Sequence, residues 1–354
     1  MSNVENALRI IGKNEPLRNK FIEFIKEVEA RLPYTGSVRD DITRHLADAL
    51  FEEGDFVIKP IESGLKYKFS TGIHSKVARE FLLSTPAVPE FAWEPQTTKL
   101  LLYLARAAKV VFVGGAYFGD QAIPIAAAIR QNGGKVYGFD LNQRQIDTFK
   151  ENATLNGLTN IVAELKGLWK DSQTYLNISD TDDLAFATPA TGTTKSNTTT
   201  IDAYAKEHGI DSVDLIMLDV EGSEHNILLG AEAQLKKETG YPNIVFEVHR
   251  SYMDWTAGLA GTDLVKYLRS FGYHVFSVRD FQGNYDMKGM PIELIEPEAT
   301  YIEGPAHGFN MVAVKDLKLI DNELFRMCEN VSPKYLVHKD PLLHHPVGGF
   351  KPKK

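Results

Sequence analysis

The sequence predicts an α/β protein built on a seven-stranded, mostly parallel, Rossmann-like sheet with a mainly helical cap at its N-terminus. Between about Lys99 and Val314, short apolar runs rich in β-branched residues alternate with helical segments, the pattern of a parallel sheet covered by helices on both faces. The last two apolar runs have no clear helix between them, so we expect them to pair antiparallel. Residues 1–93 instead show mostly helical periodicity and form the predicted cap.

The cap is predicted to contain helices and one hairpin. Apolar residues at helical spacing predict one helix that stops at Pro33 and a second over about Val38 to Glu53. The segment DFVIKPIESGLKYKFS alternates around Ser63-Gly64 and predicts a hairpin. A third helix is expected from about Ser75 to Leu83, before a Pro-rich link.

The main domain is predicted to cover residues 94–316. The five parallel strands are predicted at Val110–Gly114, Val136–Asp140, Ile161–Lys166, Leu215–Val220 and Ile244–His249, and the antiparallel pair at His274–Val278 and Phe309–Val314. The stretch 179–200, rich in Thr, Ser and Asp, is predicted to be a long loop, either simply mobile or acting as a lid. Residues 317–354 are expected to form a C-terminal helix and tail.

The composition is that of a globular protein and argues against some classes of binding partner. The chain has 354 residues, 43% of them hydrophobic, and a formal net charge of −8, which argues against nucleic-acid binding because phosphate contacts need clustered Lys and Arg. No apolar run approaches the roughly 18 residues of a membrane span, and no secretory signal is visible. The single cysteine, Cys328, fits a reducing compartment. We therefore expect a cytoplasmic protein that binds a small-molecule substrate. A homodimer is expected only because dimers are the commonest oligomers.

A glycine turn follows the first strand in VVFVGGAYFGDQAIPIAAAIR, residues 110–130. Glycine permits a tight turn and a close approach to a ligand, and the N-terminus of the following helix favours an anionic group. The pattern G-x-G-x-x-G is not met, since position 116 is Ala. Some glycine turns of this kind hold no ligand, so the turn alone does not establish a binding site. The candidate binding residues of this turn are Gly114, Gly115, Ala116, Gly119 and Asp120.

The second strand ends in an acid, Asp140, within KVYGFDLN. An acidic residue at this position accepts hydrogen bonds from the two hydroxyls of an adenosine ribose, which NAD and S-adenosylmethionine both present. Asp140 and the neighbouring Leu141 are therefore candidate cofactor-binding residues. Alternatively, Asp140 could only cap the helix that begins at Gln143.

Acidic residues also follow the fourth and fifth strands, at the carboxyl edge of the sheet where ligands of such sheets bind. The polar residues there are Asp219, Glu221 and His225 after the fourth strand, and Glu247, His249 and Arg250 at the end of the fifth. Carboxylates emerging from apolar strands need partners. A cationic sulfonium and an adenosine amino group suit them better than a nicotinamide, so S-adenosylmethionine is favoured over NAD(P), and an oxidoreductase is the alternative.

The chain from Glu94 to about Val314 resembles the FkbM-type S-adenosylmethionine-dependent O-methyltransferases. The segments that carry the resemblance are GGAYFG, YGFDLN, KENATLNGLTNI, TTTIDAYAKEHGI, LIMLDVEGSEHNILLGA and NIVFEVH. The resemblance implies the seven-stranded methyltransferase fold and transfer of a methyl group to a hydroxyl of a small oxygen-rich metabolite, such as a sugar or natural product.

One position departs from the family pattern. The family usually has an acid at the end of the first strand, two positions before the first turn glycine, and this chain has Val113 there. That acid helps to hold the amino group of the cofactor, so the resemblance implies either that Asp120 or Glu94 takes over the role or that cofactor binding is weaker. The departure also keeps a non-catalytic binding protein as an alternative.

Under this interpretation His249 is the predicted catalytic base, because its ordinary pKa suits proton transfer near neutral pH. Asp219 is assigned to catalysis and to cofactor binding. The substrate is expected to contact Glu221, His225, Glu247 and Arg250. A divalent metal at Asp219, Glu247 and His249 is a weaker alternative, since the sequence lacks a metal-ligand spacing, and no metal is predicted.

Overall fold

The computed structural model describes residues 3–70, 75–178, 187–190, 196–302 and 308–335. In the N-terminal region the elements are α1 (Asn3–Lys13), α2 (Glu15–Arg31), a π-helix (Arg39–Thr43), α3 (Arg44–Asp48), β1 (Phe56–Pro60), β2 (Lys66–Ser70) and α4 (Lys76–Leu82). β1 and β2 pair antiparallel, which confirms the predicted hairpin. The second predicted helix is shorter than expected and begins with the π-helical turn.

The rest of the described chain alternates strands and helices. Its elements are α5 (Pro95–Ala105), β3 (Val110–Gly114), α6 (Ala122–Ile129), β4 (Lys135–Asp140), α7 (Gln143–Leu155), β5 (Ile161–Leu165), β6 (Gly167–Leu168), β7 (Leu176–Ile178), β8 (Ala187–Pro189), β9 (Thr198–Thr199), α8 (Ile201–Glu207), β10 (Leu215–Leu218), α9 (Glu224–Leu229), α10 (Glu232–Leu235), β11 (Asn243–His249), α11 (Asp263–Ser270), β12 (His274–Arg279), β13 (Ile292–Ile295), β14 (Gly308–Val314) and β15 (Phe325–Cys328). Short 3-10 helices lie at Arg130–Asn132, Leu259–Gly261, Pro297–Ala299 and Leu317–Leu319.

The fold is α/β, as predicted, and the strands in one half of the central sheet are parallel. Its strand order is β15-β13-β12-β14-β11-β10-β3-β4-β5. The strands β3, β4, β5, β10 and β11 run parallel to one another. β14 is antiparallel to both β11 and β12, so the predicted antiparallel pairing of the last two strands is confirmed.

The sheet has nine strands, and the predicted number of seven was too low. The two additional strands, β13 and β15, extend the sheet beyond β12. Each has only four residues, the lower limit at which periodicity indicates a strand. In residues 317–335 the chain forms a 3-10 turn and β15 where the sequence analysis expected a helix, and residues 336–354 lie outside the described residues.

Two hydrophobic clusters cover the two faces of the central sheet. Alternate residues of one strand point to opposite faces, so Val111 and Val113 belong to one cluster and Phe112 to the other. The first cluster also contains the buried side chains of the N-terminal region, among them Tyr67 and Phe81. The expected cap therefore shares a core with the sheet. Within the described residues, no helix has the length and apolar character required to cross a membrane.

Two asparagines of α7 join the N-terminal hairpin to the domain. Asn152 is fully buried; its Oδ1 accepts from the Lys68 N–H at 2.6 Å, and its Nδ2 donates to the carbonyls of Lys68 and Phe118, both at 2.8 Å. Asn156, one turn later, pairs in the same way with the N–H and carbonyl of Lys66 at 2.8 and 2.7 Å. The two amides thus satisfy the open edge of β2, which a free strand edge would leave unpaired.

Candidate active site

A cavity of about 410 Å³ lies at the carboxyl edge of the parallel strands, in the volume range of small-molecule sites. The ends of β3, β4, β10 and β11 line it, and the beginning of α4 and the turn before α5 close it from the N-terminal region. Eleven of the predicted site residues line it: Glu94, Gly114, Gly115, Ala116, Asp120, Asp140, Leu141, Asp219, Glu221, Glu247 and His249. The sheet therefore brings together residues that lie far apart in the sequence.

The glycine turn is shaped by its contact with the neighbouring strand. Gly115 has a φ of +75°, and a Cβ at this position would lie 1.8 Å from the carbonyl oxygen of Asp219. Because no side chain fits there, the turn packs directly on the end of β10. The turn and Asp219 therefore form one wall of the cavity.

Asp140 lines the cavity at the end of β4. Its two carboxylate oxygens accept from the backbone N–H groups of Tyr117 at 3.1 Å and of Asn142 at 2.8 Å. The cap of α7 is Asn142, whose side chain accepts from Arg144 N and Gln145 N, so the alternative of Asp140 as helix cap is not met. A carboxylate has about four lone-pair positions, which leaves Asp140 able to accept from a ligand.

The acids after β10 and β11 form a cluster. Leu218 pairs with Phe246 in the parallel register, which places Asp219 beside Glu247 at the cavity. Carboxylate oxygens of Asp219, Glu221 and Glu247 lie within 4.8 Å of one another. The cluster concentrates negative charge that a cationic ligand would neutralise.

Burial changes the acidity of these groups. It raises the pKa of Asp219 to about 6 and that of Asp120 to about 7. The pKa of Glu94 rises well above its usual range through burial and the nearby charges of Asp280 and Asp219, and that of Glu247 rises through burial and Asp219. The carboxyl groups of Asp219 and Glu247 interact through a hydrogen bond, so the protonation of one depends on that of the other.

Three residues of the cavity wall have strained backbone. Among the described residues, positive φ values occur at four non-glycine positions, and three of these line the cavity: Glu94 at 39°, Tyr117 at 46° and Glu221 at 52°. The left-handed region is costly for such residues, and strain of this kind concentrates at functional sites. The surrounding fold therefore holds two of the cavity carboxylates in a fixed direction.

His249 lines the cavity, and a backbone hydrogen bond engages one of its two ring nitrogens. Its Nδ1 accepts from the backbone N–H of Ser251 at 3.0 Å. In the neutral ring the proton must then lie on Nε2, and burial lowers the pKa of His249, which favours the neutral form. With Nδ1 engaged, the ring can donate to a ligand from Nε2, whereas a base needs a free lone pair there.

Three predicted site residues are absent from the cavity wall. Gly119 has a φ of +92° and packs against Phe149, where a Cβ would lie 2.5 Å away. His225 contacts the ring of Tyr267 at 5.6 Å. Arg250 is exposed to solvent. Arg250 directly follows His249, which lines the cavity, but its own side chain is exposed.

Several residues of the cavity wall were missed by the sequence analysis. Gln121 follows Asp120 and is buried; its Oε1 accepts from Thr98 Oγ1 at 2.8 Å, while its Nε2 has no hydrogen-bond partner among the described residues. From outside the glycine turn, the cavity is also lined by Lys76, Trp93, Lys166 and Gln282. Gln121 could have been found in the sequence from its position directly after Asp120, at the start of α6. The others reach the cavity only through tertiary packing.

Part of the predicted 179–200 loop lies near the cavity. β8 pairs with β7, and Leu176, Ile178 and Ala187 of this ribbon line the cavity. β9 pairs with β6 at the base of the same segment. Residues 179–186 and 191–195 lie outside the described residues.

Residues 114–275 match the family model described as "Methyltransferase FkbM domain". A comparison with curated proteins found no match. Similar solved structures include a SAM-dependent methyltransferase from Agrobacterium tumefaciens, with 14% identity over 74% of this chain and 70% of that chain and a TM-score of 0.39. Others are M. jannaschii TYW2 in complex with AdoMet (14% identity, 75% and 87% coverage, TM-score 0.37) and methyltransferase FkbM from Methylobacillus flagellatus KT (17%, 48% and 39%, TM-score 0.30).

The Rossmann-like sheet and the family match together define the class: this protein is a methyltransferase. More narrowly, residues 114–275 match the methyltransferase FkbM domain, which confirms the resemblance predicted from the sequence. The alternative of a nicotinamide-dependent oxidoreductase is set aside, because the matched family is one of methyltransferases.

Proposed function

We propose that this protein binds S-adenosylmethionine in the cavity and transfers its methyl group to a hydroxyl of a small oxygen-rich metabolite, such as a sugar or natural product. The observation that carries the proposal is Asp140, whose carboxylate faces the same cavity as the acid cluster of Asp219 and Glu247. The non-catalytic alternative would keep the binding and lack the transfer.

The residues of the cavity fit an adenosyl group with an amino-acid end. Asp140 accepts from the ribose hydroxyls with the lone pairs that its two backbone donors leave free. The apolar residues Phe139, Leu141 and Leu168 line the adjoining part of the cavity and offer a surface for an adenine ring. The unpartnered amide Nε2 of Gln121 donates to the carboxylate of the methionine moiety.

The acids supply the complementary charge. S-adenosylmethionine supplies an electrophilic methyl group on a positively charged sulfur. Glu94 is fixed by Asn310, whose Nδ2 donates to its Oε2 at 2.6 Å, and it binds the amino group in place of the acid absent at Val113. Binding a cation offsets the cost of ionising Glu94 and Glu247 in a buried site.

Asp219 is the proposed base for the acceptor hydroxyl. Its pKa of about 6 leaves it ionised at neutral pH and close to the range in which proton transfer is efficient. His249 donates from Nε2 to the acceptor oxygen and orients it. Alignment of the reacting groups supplies the remaining rate enhancement, up to about 7–11 kcal/mol in favourable cases.

Polar residues from α4 and from the segment after β12 support a hydroxyl-rich acceptor. Lys76 Nζ donates to Gln282 Oε1 at 3.0 Å, and Gln282 Nε2 donates to the carbonyl of Gly308 at 3.4 Å. These groups and Glu221 line the cavity together with Trp93. Several fixed donors and acceptors around an aromatic ring suit an acceptor with several hydroxyls better than an apolar one.

The test is isothermal titration calorimetry with S-adenosylhomocysteine, NAD and NADP, followed by transfer of labelled methyl groups from S-adenosylmethionine to a panel of sugars and glycosides. We expect binding of S-adenosylhomocysteine and no response to the nicotinamides. Asp140→Ala should weaken the binding about 10- to 100-fold, the effect of losing a hydrogen bond to a charged group. Asp147→Ala, which removes an exposed carboxylate of α7, is the matched control and should change nothing. Equal affinity of the Asp140→Ala variant and the wild type would refute the proposed site.

A further inference from the structure

Tyr117 occupies the middle of three left-handed positions in the turn after β3. The φ values are +75° at Gly115, +46° at Tyr117 and +92° at Gly119. Glycine adopts this conformation without steric cost, whereas a residue with a Cβ is strained in it. Such strain persists only where the surrounding structure holds it. The contacts of Tyr117 therefore maintain a backbone conformation that this residue would not adopt by itself.

The backbone of Tyr117 contacts the carboxylate that is proposed to bind the ribose. Tyr117 N donates to Asp140 Oδ2 at 3.1 Å. The two preceding N–H groups, of Gly115 and Ala116, both donate to the carbonyl of Phe139 at 3.0 Å. Three successive N–H groups thus attach the turn to the end of β4. Of these three, the N–H of Tyr117 is the one that meets a side chain, and its position therefore affects the orientation of the Asp140 carboxylate.

The side chain of Tyr117 contacts the N-terminal region. Its hydroxyl oxygen lies 2.5 Å from Oγ of Ser75, within hydrogen-bond distance. Ser75 is buried and caps α4, since its Oγ accepts from Ala78 N at 3.0 Å. The ring of Tyr117 also packs on Phe118, with 4.8 Å between the ring centroids. Tyr117 therefore joins the turn to α4, an element that lies outside the matched residues 114–275.

We propose that Tyr117 is a positioning residue: its hydrogen bond with Ser75 holds the left-handed backbone that presents the Tyr117 N–H to Asp140, and the N-terminal region thereby sets the affinity for the cofactor. The inference deepens the proposed function and rests on it for the identity of the ligand. A turn that relaxes to an ordinary φ moves this N–H away from Asp140. The fraction of molecules competent to bind then falls, and the apparent affinity falls with it.

The first test measures the affinity for S-adenosylhomocysteine by calorimetry. Tyr117→Phe and Ser75→Ala each remove one partner of the bond, and each should weaken binding about 2- to 10-fold, the scale of a neutral hydrogen bond. The double variant should bind no more weakly than the weaker single variant, because both changes remove the same bond. Ser75→Thr keeps the hydroxyl and should bind like the wild type. Equal affinity of Tyr117→Phe and the wild type would overturn the proposal.

Tyr103→Phe is the matched control for this test. It removes another tyrosine hydroxyl, which donates to the carbonyl of Leu319 at 2.8 Å. Tyr103 does not belong to the residues that line the cavity. The variant should therefore keep the wild-type affinity for S-adenosylhomocysteine.

A second pair of variants separates the backbone conformation from side-chain packing. Tyr117→Gly and Tyr117→Ala both lose the ring and the hydroxyl, but only glycine adopts the left-handed conformation without cost. We expect Tyr117→Gly to bind S-adenosylhomocysteine about 5- to 30-fold more tightly than Tyr117→Ala, which is the left-handed penalty of a Cβ expressed as a ratio of affinities. Equal affinities would show that binding does not depend on this conformation, and the proposal would be wrong.

A measurement without ligand tests the role of Tyr117 independently of the proposed function. Hydrogen exchange of the segment 114–120, followed by mass spectrometry, should be faster in Tyr117→Phe than in the wild type, because the turn is held less firmly. Tyr103→Phe should exchange like the wild type, and unchanged exchange in Tyr117→Phe would refute the role of this residue. Failure of the wild type to bind S-adenosylhomocysteine would refute the proposed function alone, and hydrogen exchange would still decide whether Tyr117 holds the turn.

Discussion

Asp219 and His249 both line the cavity, but their neighbours give them different chemistry. Burial raises the pKa of Asp219 to about 6, and its hydrogen bond with Glu247 opposes that rise. The Nδ1 atom of His249 accepts a hydrogen bond from the backbone N–H of Ser251. The residue type alone favoured His249 as the base; the hydrogen-bond pattern favours Asp219.

The two roles predict different kinetic losses. Asp219→Asn should lower kcat by about 10²–10⁴, the usual contribution of a general base. His249→Gln, which keeps a donor, should cost less than about tenfold, the scale of one neutral hydrogen bond. The wild-type rate should fall as the pH drops below about 6, because protonated Asp219 cannot accept the hydroxyl proton. Single-turnover methyl transfer over a pH series measures all three, and a larger loss in His249→Gln would return the base to histidine.

At the scale of elements, the turn between β3 and α6 depends on one glycine. Gly115→Ala would place a methyl group 1.8 Å from the Asp219 carbonyl oxygen, with φ at +75°. We expect a loss of more than about 3 kcal/mol in unfolding free energy, because backbone must move. Gly133→Ala has a similar φ of +70° but nothing within 4 Å, so only the conformational cost of about 1–2 kcal/mol applies. Chemical denaturation of both variants checks this, and equal losses would contradict it.

The joint between the hairpin and α7 gives a second prediction at this scale. Asn152→Ala leaves three backbone groups without partners in a buried position, and we expect a loss of about 3 kcal/mol. Asn156→Ala removes a similar pair of bonds at a partly exposed position, where water can replace them, and it should cost about 1 kcal/mol. Urea unfolding of the two variants measures the difference. A smaller effect at Asn152 would mean that the hairpin is held mainly by the apolar core.

At the scale of the whole molecule, the buried acids make stability depend on pH. Asp120 and Asp280 have pKa values of about 7 in the folded protein against an ordinary value of 3.8. The folded state therefore binds more protons than the unfolded state between these values, so stability falls as pH rises from about 4 to about 7. Burial lowers the pKa of both Lys59 and Lys334 to about 7. These two groups therefore make stability rise with pH above about 7.

We expect the melting temperature of the ligand-free protein to fall between about pH 5 and about pH 7. Asp120→Asn, which removes one of the raised carboxyl groups, should reduce the slope. Saturating S-adenosylhomocysteine should also reduce it, since its ammonium stabilises the ionised acids. Differential scanning fluorimetry at constant ionic strength measures the three curves. A melting temperature that rises over this interval would show that the buried acids do not govern stability.

The sequence by itself determined the elements whose signals are local. The alternation of apolar strands and helices, the glycine turn and the acids Asp140, Asp219 and Glu247 are read over short windows. Because the carboxyl ends of parallel strands meet at one edge, these acids had to converge. The family match spans residues 114–275, a range that contains all three acids.

Only the tertiary structure decided the rest, because it depends on contacts between distant segments. The four-residue strands β13 and β15 are defined by their pairing, β13 with β12 and β15 with β13. Gln121 becomes part of the cavity wall only through the fold, which leaves its buried Nε2 without a partner among the described residues. The tautomer of His249 follows from one backbone N–H. Local patterns fix which segments form strands and helices, whereas burial, charge and hydrogen bonding at the site arise from residues that meet only in the folded chain.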